Sequence, residues 1–413
     1  MAEAYIIDAC RTPRGIGRQG KGALADMHPQ QVGSAVLKAI AARNNINTAE
    51  VDDIIWGCSS QRGPASGDLG RMSALDAGYD IKASGVTLDR FCGSGITSVN
   101  IAAASIMSGM EDLVIAGGCE LMSMPPGPRD PNAGPGTMDR GNMRLRKMHP
   151  QSHQGVCADA IATLEGITRE VVDALALESQ KRADAAIRGG HFKKALIPVY
   201  KEDGTLALDH EEFPRPNTTA EGLAGLKASF EAMADIPLGE DGMTFRKLIT
   251  QVHPDLDIKF IHHAGNSSGV VDGAGAVLLA SKEYAEKNGL KPRARVVAMA
   301  NMGDSPTLML NAPVPAARKV LAKAGLTLDD IDLFEINEAF AVVAEKFIRD
   351  LKLDRDKVNV NGGAMALGHP IGATGSMLIG TVLDELERRD LKRGLVTMCA
   401  AGGMAQAIII ERL

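Results

Sequence analysis

Hydrophobic positions along the chain fall into two trains in which short apolar runs alternate with segments of helical periodicity. In the first, Ala4 to Ala9 reads as a strand stopped by Arg11-Thr12-Pro13, and Val32, Ala35, Val36, Ala39 and Ile40 recur at helical spacing between Pro29 and Arg43. Asp53 to Cys58 then predicts a strand, Asp68 to Ala77 a helix, Gly85 to Leu88 a strand, Ile96 to Met107 a helix and Asp112 to Gly117 a strand. From Met122 to Gln251 the pattern is lost. Pro125-Pro126-Gly127-Pro128-Arg129, Gly134-Pro135-Gly136 and Pro214-Arg215-Pro216 punctuate a Met-rich, basic stretch in which Arg169 to Arg188 is the one clear helix. Alternation resumes at Gly273 to Ala280. It continues through Ala294–Met302, Ala316–Ala324, Leu333–Ile336, Ala339–Leu351, Val358–Val360, Gly372–Arg388 and the closing pair Gly394–Cys399 and Ala405–Glu411.

Strands alternating with helices imply an α/β fold with a largely parallel sheet covered on both faces. The order of elements in the second train echoes the first, which suggests an internal pseudo-repeat. Such an arrangement divides the chain into an N-terminal half (1–121 and 252–291), an inserted loop domain (122–251) and a C-terminal half (292–413), with the site where the loops of both halves meet.

Composition narrows the function classes. With 413 residues, 45% of them hydrophobic and 23% charged, the chain has ample core. Only 3% are aromatic, against 45 glycines and 19 methionines, so small residues and Met fill much of that core. The net charge of -6 and the lack of a basic tract argue against nucleic acid as a partner. Six widely spaced cysteines without a C-x-x-C pair argue against a metal centre or a disulfide scaffold and suit a reducing, cytoplasmic setting. The start of the sequence has no basic-then-apolar leader pattern, and no stretch reads as membrane-spanning.

Candidate chemistry gathers in glycine-lined loops. Cys92, in Asp89-Arg90-Phe91-Cys92-Gly93-Ser94-Gly95, lies between a strand and a helix, where Gly93 and Gly95 permit a tight turn. A thiol there faces free backbone N–H groups and the positive end of a helix, which favour the thiolate and draw its pKa toward neutrality. Ala102, Ala103, Ala104 and Ser105 give the following helix no polar face, so it should be buried on all sides. Asn337, in Asn337-Glu338-Ala339-Phe340-Ala341, is placed either to cap a helix or to orient a catalytic water. His369 lies in the glycine-rich run from Asn361 to Gly375, and Cys399 at the tip of a hairpin through Ala400-Ala401-Gly402-Gly403. A solvated loop histidine and a buried structural cysteine are the ordinary alternatives for these two.

Together these stretches resemble the thiolase family over essentially the whole chain. Cys92-Gly93-Ser94-Gly95 is similar to the family's nucleophile motif, Gly117-Gly118-Cys119-Glu120-Leu121-Met122-Ser123 to the segment closing its first half, Asn337-Glu338-Ala339-Phe340 to its N-E-A-F box, and Gly368 to Gly375 to its histidine motif. The closing C-x-G-G-G pattern matches in part, Ala401 standing where a glycine is usual. The resemblance implies two packed α/β halves with layered sheets and buried central helices, an inserted loop domain, and a homodimer or homotetramer. It implies coenzyme A as substrate, with no metal and no covalently bound cofactor.

The same resemblance implies roles. Cys92 is the nucleophile toward a 3-oxoacyl-CoA, His369 takes its proton, and Cys399 exchanges protons with the acetyl-CoA enolate and with incoming CoA. His369 with a water held by Asn337 would serve one oxyanion, and the backbone N–H groups of Cys92 and Ala401 the other, provided Ala401 keeps a negative φ. For CoA it points to Lys227, to Ser268 in Ala264-Gly265-Asn266-Ser267-Ser268-Gly269, and to His153 in His153-Gln154-Gly155. Gln154, where an apolar residue is common, suggests a roomy pocket and degradative cleavage of larger acyl groups, with a biosynthetic acetoacetyl-CoA thiolase as the alternative. A non-catalytic CoA- or lipid-binding relative is the remoter reading, and a ketosynthase-type enzyme is disfavoured by Cys399. The segment Glu231 to Ile258 is longer than the resemblance leads one to expect, and its role is not legible.

Overall fold

The apolar runs become strands because nearly all of them are covered on both faces. The protein, described here by a computed structural model over residues 3–125, 136–239 and 241–413, has strands β1 (Ala4–Arg11), β2 (Gly15–Ile16), β3 (Asp53–Gly57), β4 (Val86–Leu88), β5 (Leu113–Leu121), β6 (Val199–Tyr200), β7 (Leu206–Leu208), β8 (Val271–Ser281), β9 (Ala294–Gly303), β10 (Leu333–Ile336), β11 (Arg393–Ala400) and β12 (Met404–Arg412). The punctuating runs at 126–129 and 134–135 lie outside the described residues.

Strand pairing runs in the order β10-β11-β12-β9-β1-β8-β5-β3-β4, with β2 on β8 and β6-β7 a separate hairpin. The two halves of this order have the same plan. In the first, β3 pairs parallel with β4 and β5, then β8 and β1 follow antiparallel; in the second, β10 pairs parallel with β11 and with Val358, then β12 and β9 follow antiparallel. The pseudo-repeat suggested by element order is therefore present in the topology, although the central pairing is mixed rather than largely parallel. Between the halves, β1 and β9 share only the pairs Tyr5↔Arg295 and Ile6↔Ala294. Arg293 reinforces that joint by bonding Asp8 on β1 and both Asp384 and Glu387 on the helix Thr374–Arg388.

Residues alternate between layers as a pleated strand requires. On β5, Leu113 and Ile115 pack against the helix Pro29–Arg43, while Val114 and Ala116 face the middle of the molecule; on β12, Ile408 and Ile410 face the middle and Ile409 the outer side. The middle layer consists of two helices, Ser94–Ser108 and Thr374–Arg388, one from each half. They touch near their N-termini: a Cβ on Gly95 would lie 2.8 Å from the Gly375 backbone N, and one on Gly375 would lie 2.1 Å from that of Ile96. Only glycine admits so close an approach. The order of layers is helices, sheet, two central helices, sheet, helices.

Three sequence expectations change here. Phe91–Ser108 is in fact long and apolar enough to cross a membrane, yet 67% of it is buried in the protein, as befits a core helix. That helix is also not buried all round, since Ile101 is 43% exposed. Its uncharged outer face is left uncovered within the single chain. Between Met122 and Gln251 the chain holds, besides Arg169–Gly189, a helix at Gln154–Leu164 and short helices at Met143–Met148, Ala220–Ala224, Glu231–Ala234 and Phe245–Thr250. Gln154–Leu164 gives no periodic signal because every residue from Gly155 to Ala162 is buried, which removes the contrast between faces.

Candidate active site

Cys92 sits at the elbow between β4 and the helix Ser94–Ser108, but the turn is not made by glycine. Phe91 takes the left-handed conformation, with φ of 51°, and Gly93 lies in the right-handed region at -76°. A non-glycine residue there is strained and must be held. Asp89 accepts from Phe91 N at 2.7 Å, and Ser94 Oγ accepts from Arg90 N at 2.8 Å while donating to Phe91 O at 2.7 Å. At Gly93 a Cβ would meet Gln406 Oε1 at 1.6 Å, so any larger residue there would have to displace the Gln406 amide.

His369 is placed from the other half. Its Nδ1 lies 2.6 Å from Thr374 Oγ1, and that hydroxyl donates its hydrogen to Pro370 O at 2.9 Å. With the hydroxyl hydrogen on Pro370 O, Thr374 accepts from Nδ1–H, the tautomer that leaves the buried Nε2, unpartnered among the described residues, as a lone pair. Glu120 ties this loop to the first half. Its carboxylate accepts from Ser59 N, Ser60 N and Gly372 N at 2.9, 2.8 and 2.9 Å.

Burial sets the resting protonation. The Cys92 thiol is pushed up to about 12, chiefly by burial and then by the Glu120 carboxylate, its own backbone N–H pulling the other way. The expected drop toward neutrality is overturned: desolvation of the thiolate outweighs the helix terminus in the ligand-free site. His369 is drawn down to about 3 by burial and by the nearby Arg14 charge, so it rests neutral. Cys399 is raised by burial and further by Cys92, which places the two sulfurs within electrostatic reach.

Asn337 follows β10, and its N donates to Thr397 O at 3.3 Å on the adjacent β11. It does not cap the next helix, which begins at Ala341 with Phe340 as its N-cap. Neither side-chain amide atom has a partner among the described residues, although the residue is buried. Cys399 is the penultimate residue of β11, opposite Ala405. In the turn after β11, Gly402 and Gly403 take the left-handed φ values of 79° and 76°, and Ala401 does not.

The segment at Asn266 runs past both second-half loops. Ser268 N donates to Ala339 O at 2.9 Å, Gly269 N to Ala364 O at 3.0 Å, and His369 N to Gly269 O at 2.9 Å. Half-buried Ser268 is thus stitched to the centre, whereas Lys227 is exposed on a loop between Ala220–Ala224 and Glu231–Ala234. His153 caps the helix Gln154–Leu164 by accepting from Gly155 N at 3.1 Å, its ring 5.7 Å from those of both Phe230 and Phe245, and burial lowers its pKa. Gln154 is exposed at that helix start.

Beside these loops lies a buried histidine network that sequence reasoning misses. His262 Nδ1 lies 2.7 Å from Asp159 Oδ1, and His263 Nε2 lies 2.9 Å from Asp173 Oδ1, with Asn266 Nδ2 on the same carboxylate at 2.8 Å. The adjacent histidines just before Ala264-Gly265-Asn266 are the available signal.

Residues 4–237 match the thiolase N-terminal domain and residues 290–412 the thiolase C-terminal domain. The chain belongs to the thiolase family. This thiolase is 40% identical over 419 residues to a steroid 3-ketoacyl-CoA thiolase of Mycobacterium tuberculosis, a match spanning 100% of the chain and 95% of that protein. It is 39% identical over 430 residues to the 3-oxoadipyl-CoA/3-oxo-5,6-dehydrosuberyl-CoA thiolase of Escherichia coli, covering 100% of both. The crystal structure of the Bacillus anthracis acetyl-CoA acetyltransferase superposes with a TM-score of 0.84 at 33% identity, over 100% of this thiolase and 99% of that chain. Thiolases are acyltransferases, and this is one.

Proposed function

We propose that the thiolase cleaves 3-oxoacyl-CoA with CoA, giving acetyl-CoA and a shortened acyl-CoA, by a ping-pong reaction through Cys92. The observation that carries this reading is the buried His369 Nε2, without a partner among the described residues while Thr374 engages Nδ1, together with a Cys92 thiol that rests protonated. Nε2 takes the Cys92 proton, and the sulfur attacks the 3-keto carbon. The C2–C3 bond breaks, its electron pair passes to the acetyl-CoA enolate, and that carbon takes a proton from Cys399. Incoming CoA then gives its thiol proton to the Cys399 thiolate and attacks the acyl group, and Cys92 leaves as thiolate to recover its proton from His369. His369 Nε2–H and a water on Asn337 serve one oxyanion, the N–H groups of Cys92 and Ala401 the other.

For the substrate, relatives named for steroid and oxoadipyl thioesters support degradation of 3-oxoacyl groups larger than acetoacetyl. Exposed Gln154 at the start of its helix suits a pocket that is wet on that side. Ser268 contacts the pantetheine arm, Lys227 the phosphate end of CoA, and His153 the thioester region. The chain works as a homodimer or homotetramer joined through the edge strand β4, where Val86 is 44% exposed, and through Ile101 on the helix that β4 feeds. Six free cysteines suit the cytoplasm. The test is a kcat/KM series over 3-oxoacyl-CoA esters of rising length and ring content. A steady fall beyond acetoacetyl-CoA would replace this reading with that of an acetyl-CoA acetyltransferase.

A further inference from the structure

Asn337 has an unusual position for a group that must aim a hydrogen bond: among the described residues neither its oxygen nor its nitrogen has a partner. Behind it is a buried cavity of about 10 Å3, enough for one water molecule. Neither cysteine nor His369 lines this cavity, although Thr374, which engages His369 Nδ1, does. Arg14, Glu335 and Asn337 all line it. Each brings a buried polar atom without a protein partner: Nε of Arg14, Oε2 of Glu335, and both amide atoms of Asn337.

The placement follows from the fold. Glu335 and Asn337 are two residues apart along β10 and its extension, so they share one side of the strand. Arg14 comes from the loop after β1 in the other half. Its backbone N and Nη1 are held by Glu211 at 2.8 and 3.1 Å, and its buried Nε is left without a partner among the described residues.

We infer that Arg14 and Glu335 are positioning residues which, through one buried water, set the orientation of the Asn337 amide. The water accepts from Arg14 Nε–H and donates to Glu335 Oε2 and Asn337 Oδ1. With its oxygen so engaged, Asn337 turns its NH2 group toward the substrate side, where it is needed as a donor to the oxyanion-binding water. A donor aimed wrongly by a flipped amide would weaken the chemical step and leave CoA binding intact. Burial lowers Arg14 to about 10 and raises Glu335 well above the carboxylate range, the attraction between the two charges acting against both shifts.

The inference rests on the placing of Asn337 in the reaction, so the experiment includes Asn337→Ala. Thiolysis is measured for Glu335→Ala, Glu335→Gln, Asn337→Ala and Glu335→Ala/Asn337→Ala. Glu335→Ala is expected to lower kcat by about ten- to a hundredfold with KM within about twofold, the scale of a misaligned catalytic group. Glu335→Gln, which keeps an acceptor, should recover most of that loss, and Glu335→Ala should cost nothing further once Asn337 is Ala. Wild-type kcat in Glu335→Ala, or a loss that adds fully to that of Asn337→Ala, overturns the inference. Wild-type activity in Asn337→Ala overturns instead the role given to Asn337 in the reaction. Should Glu335→Ala fail to fold, a high-resolution crystal structure of the unaltered enzyme decides: ordered density within hydrogen-bond distance of Arg14 Nε, Glu335 and Asn337 supports the inference, and its absence overturns it.

Discussion

Cys119 and Cys399 occupy corresponding places in the two halves of the thiolase, each the seventh residue of its strand and each opposite an alanine, Ala274 for one and Ala405 for the other. Their surroundings differ. The Cys119 sulfur donates to Pro29 O at 3.5 Å, at the start of the outer helix, and is sealed. Cys399 is as buried, but it feels the charge of Cys92. Two residues on, the first half has buried Leu121 still within its strand, where the second has part-exposed Ala401 in a glycine turn. Repeated topology thus supplies two similar strand ends, and the residues just past the cysteine, strand in one half and turn in the other, set apart the one proposed to take part in the reaction.

The comparison breaks most easily at the sulfurs. Cys92→Ser should lower thiolysis by at least about four orders of magnitude, the scale of losing a covalent nucleophile. Mass spectrometry after mixing with acyl-CoA should find the acyl adduct on Cys92 in the unaltered enzyme. An adduct on Cys399 would reverse the roles.

Cys399→Ala should cost about two to four orders of magnitude in turnover, typical of a lost proton shuttle, with a burst of Cys92 acylation partly surviving. Cys119→Ala is the matched control from the other half. It should leave kcat within about twofold and cost about 1 kcal/mol of stability, the usual scale for a small core truncation. Equal losses at the two positions would erase the distinction between them.

Much of this site is legible in the sequence because its parts are short local strings. Cys92-Gly93-Ser94-Gly95, the Asn337 box and the run through His369 each sit between elements whose hydrophobic periods are clear. The illegible parts depend on contacts distant in sequence. His262 and Asp159 are separated by 103 positions, and no local pattern announces their pairing. Phe91 gives no hint of a left-handed backbone, since aromatic residues rarely adopt one and it is the surrounding hydrogen bonds that hold it. The titration of Cys92 escapes sequence reasoning for a related reason. A helix terminus can be read from sequence, whereas the burial that outweighs it comes from the packing of both halves.

That balance can be tested directly. With its pKa pushed up to about 12, Cys92 bears a thiolate fraction that grows about tenfold per pH unit throughout the neutral range. Alkylation of the free enzyme by iodoacetamide, followed at Cys92 by peptide mass spectrometry, should accelerate at that slope with no plateau up to about pH 9. The other five cysteines are buried and should lag behind. A plateau below about pH 8 would mean that the helix terminus prevails over burial after all.

The smallest effect should come at Ala401. The corresponding Leu121 contributes a buried side chain, whereas Ala401 is proposed to act through its backbone N–H, which any residue but proline supplies. The left-handed positions in the turn already belong to Gly402 and Gly403, and Ala401 is not among them, so glycine at 401 gains no conformation that the fold uses. Ala401→Gly should therefore leave kcat within about twofold and cost about 0.4–1 kcal/mol of stability, because the unfolded chain becomes freer. Steady-state thiolysis and urea unfolding measure the two quantities. A tenfold change in kcat would show that the methyl group itself, and not the backbone donor, touches the reacting thioester.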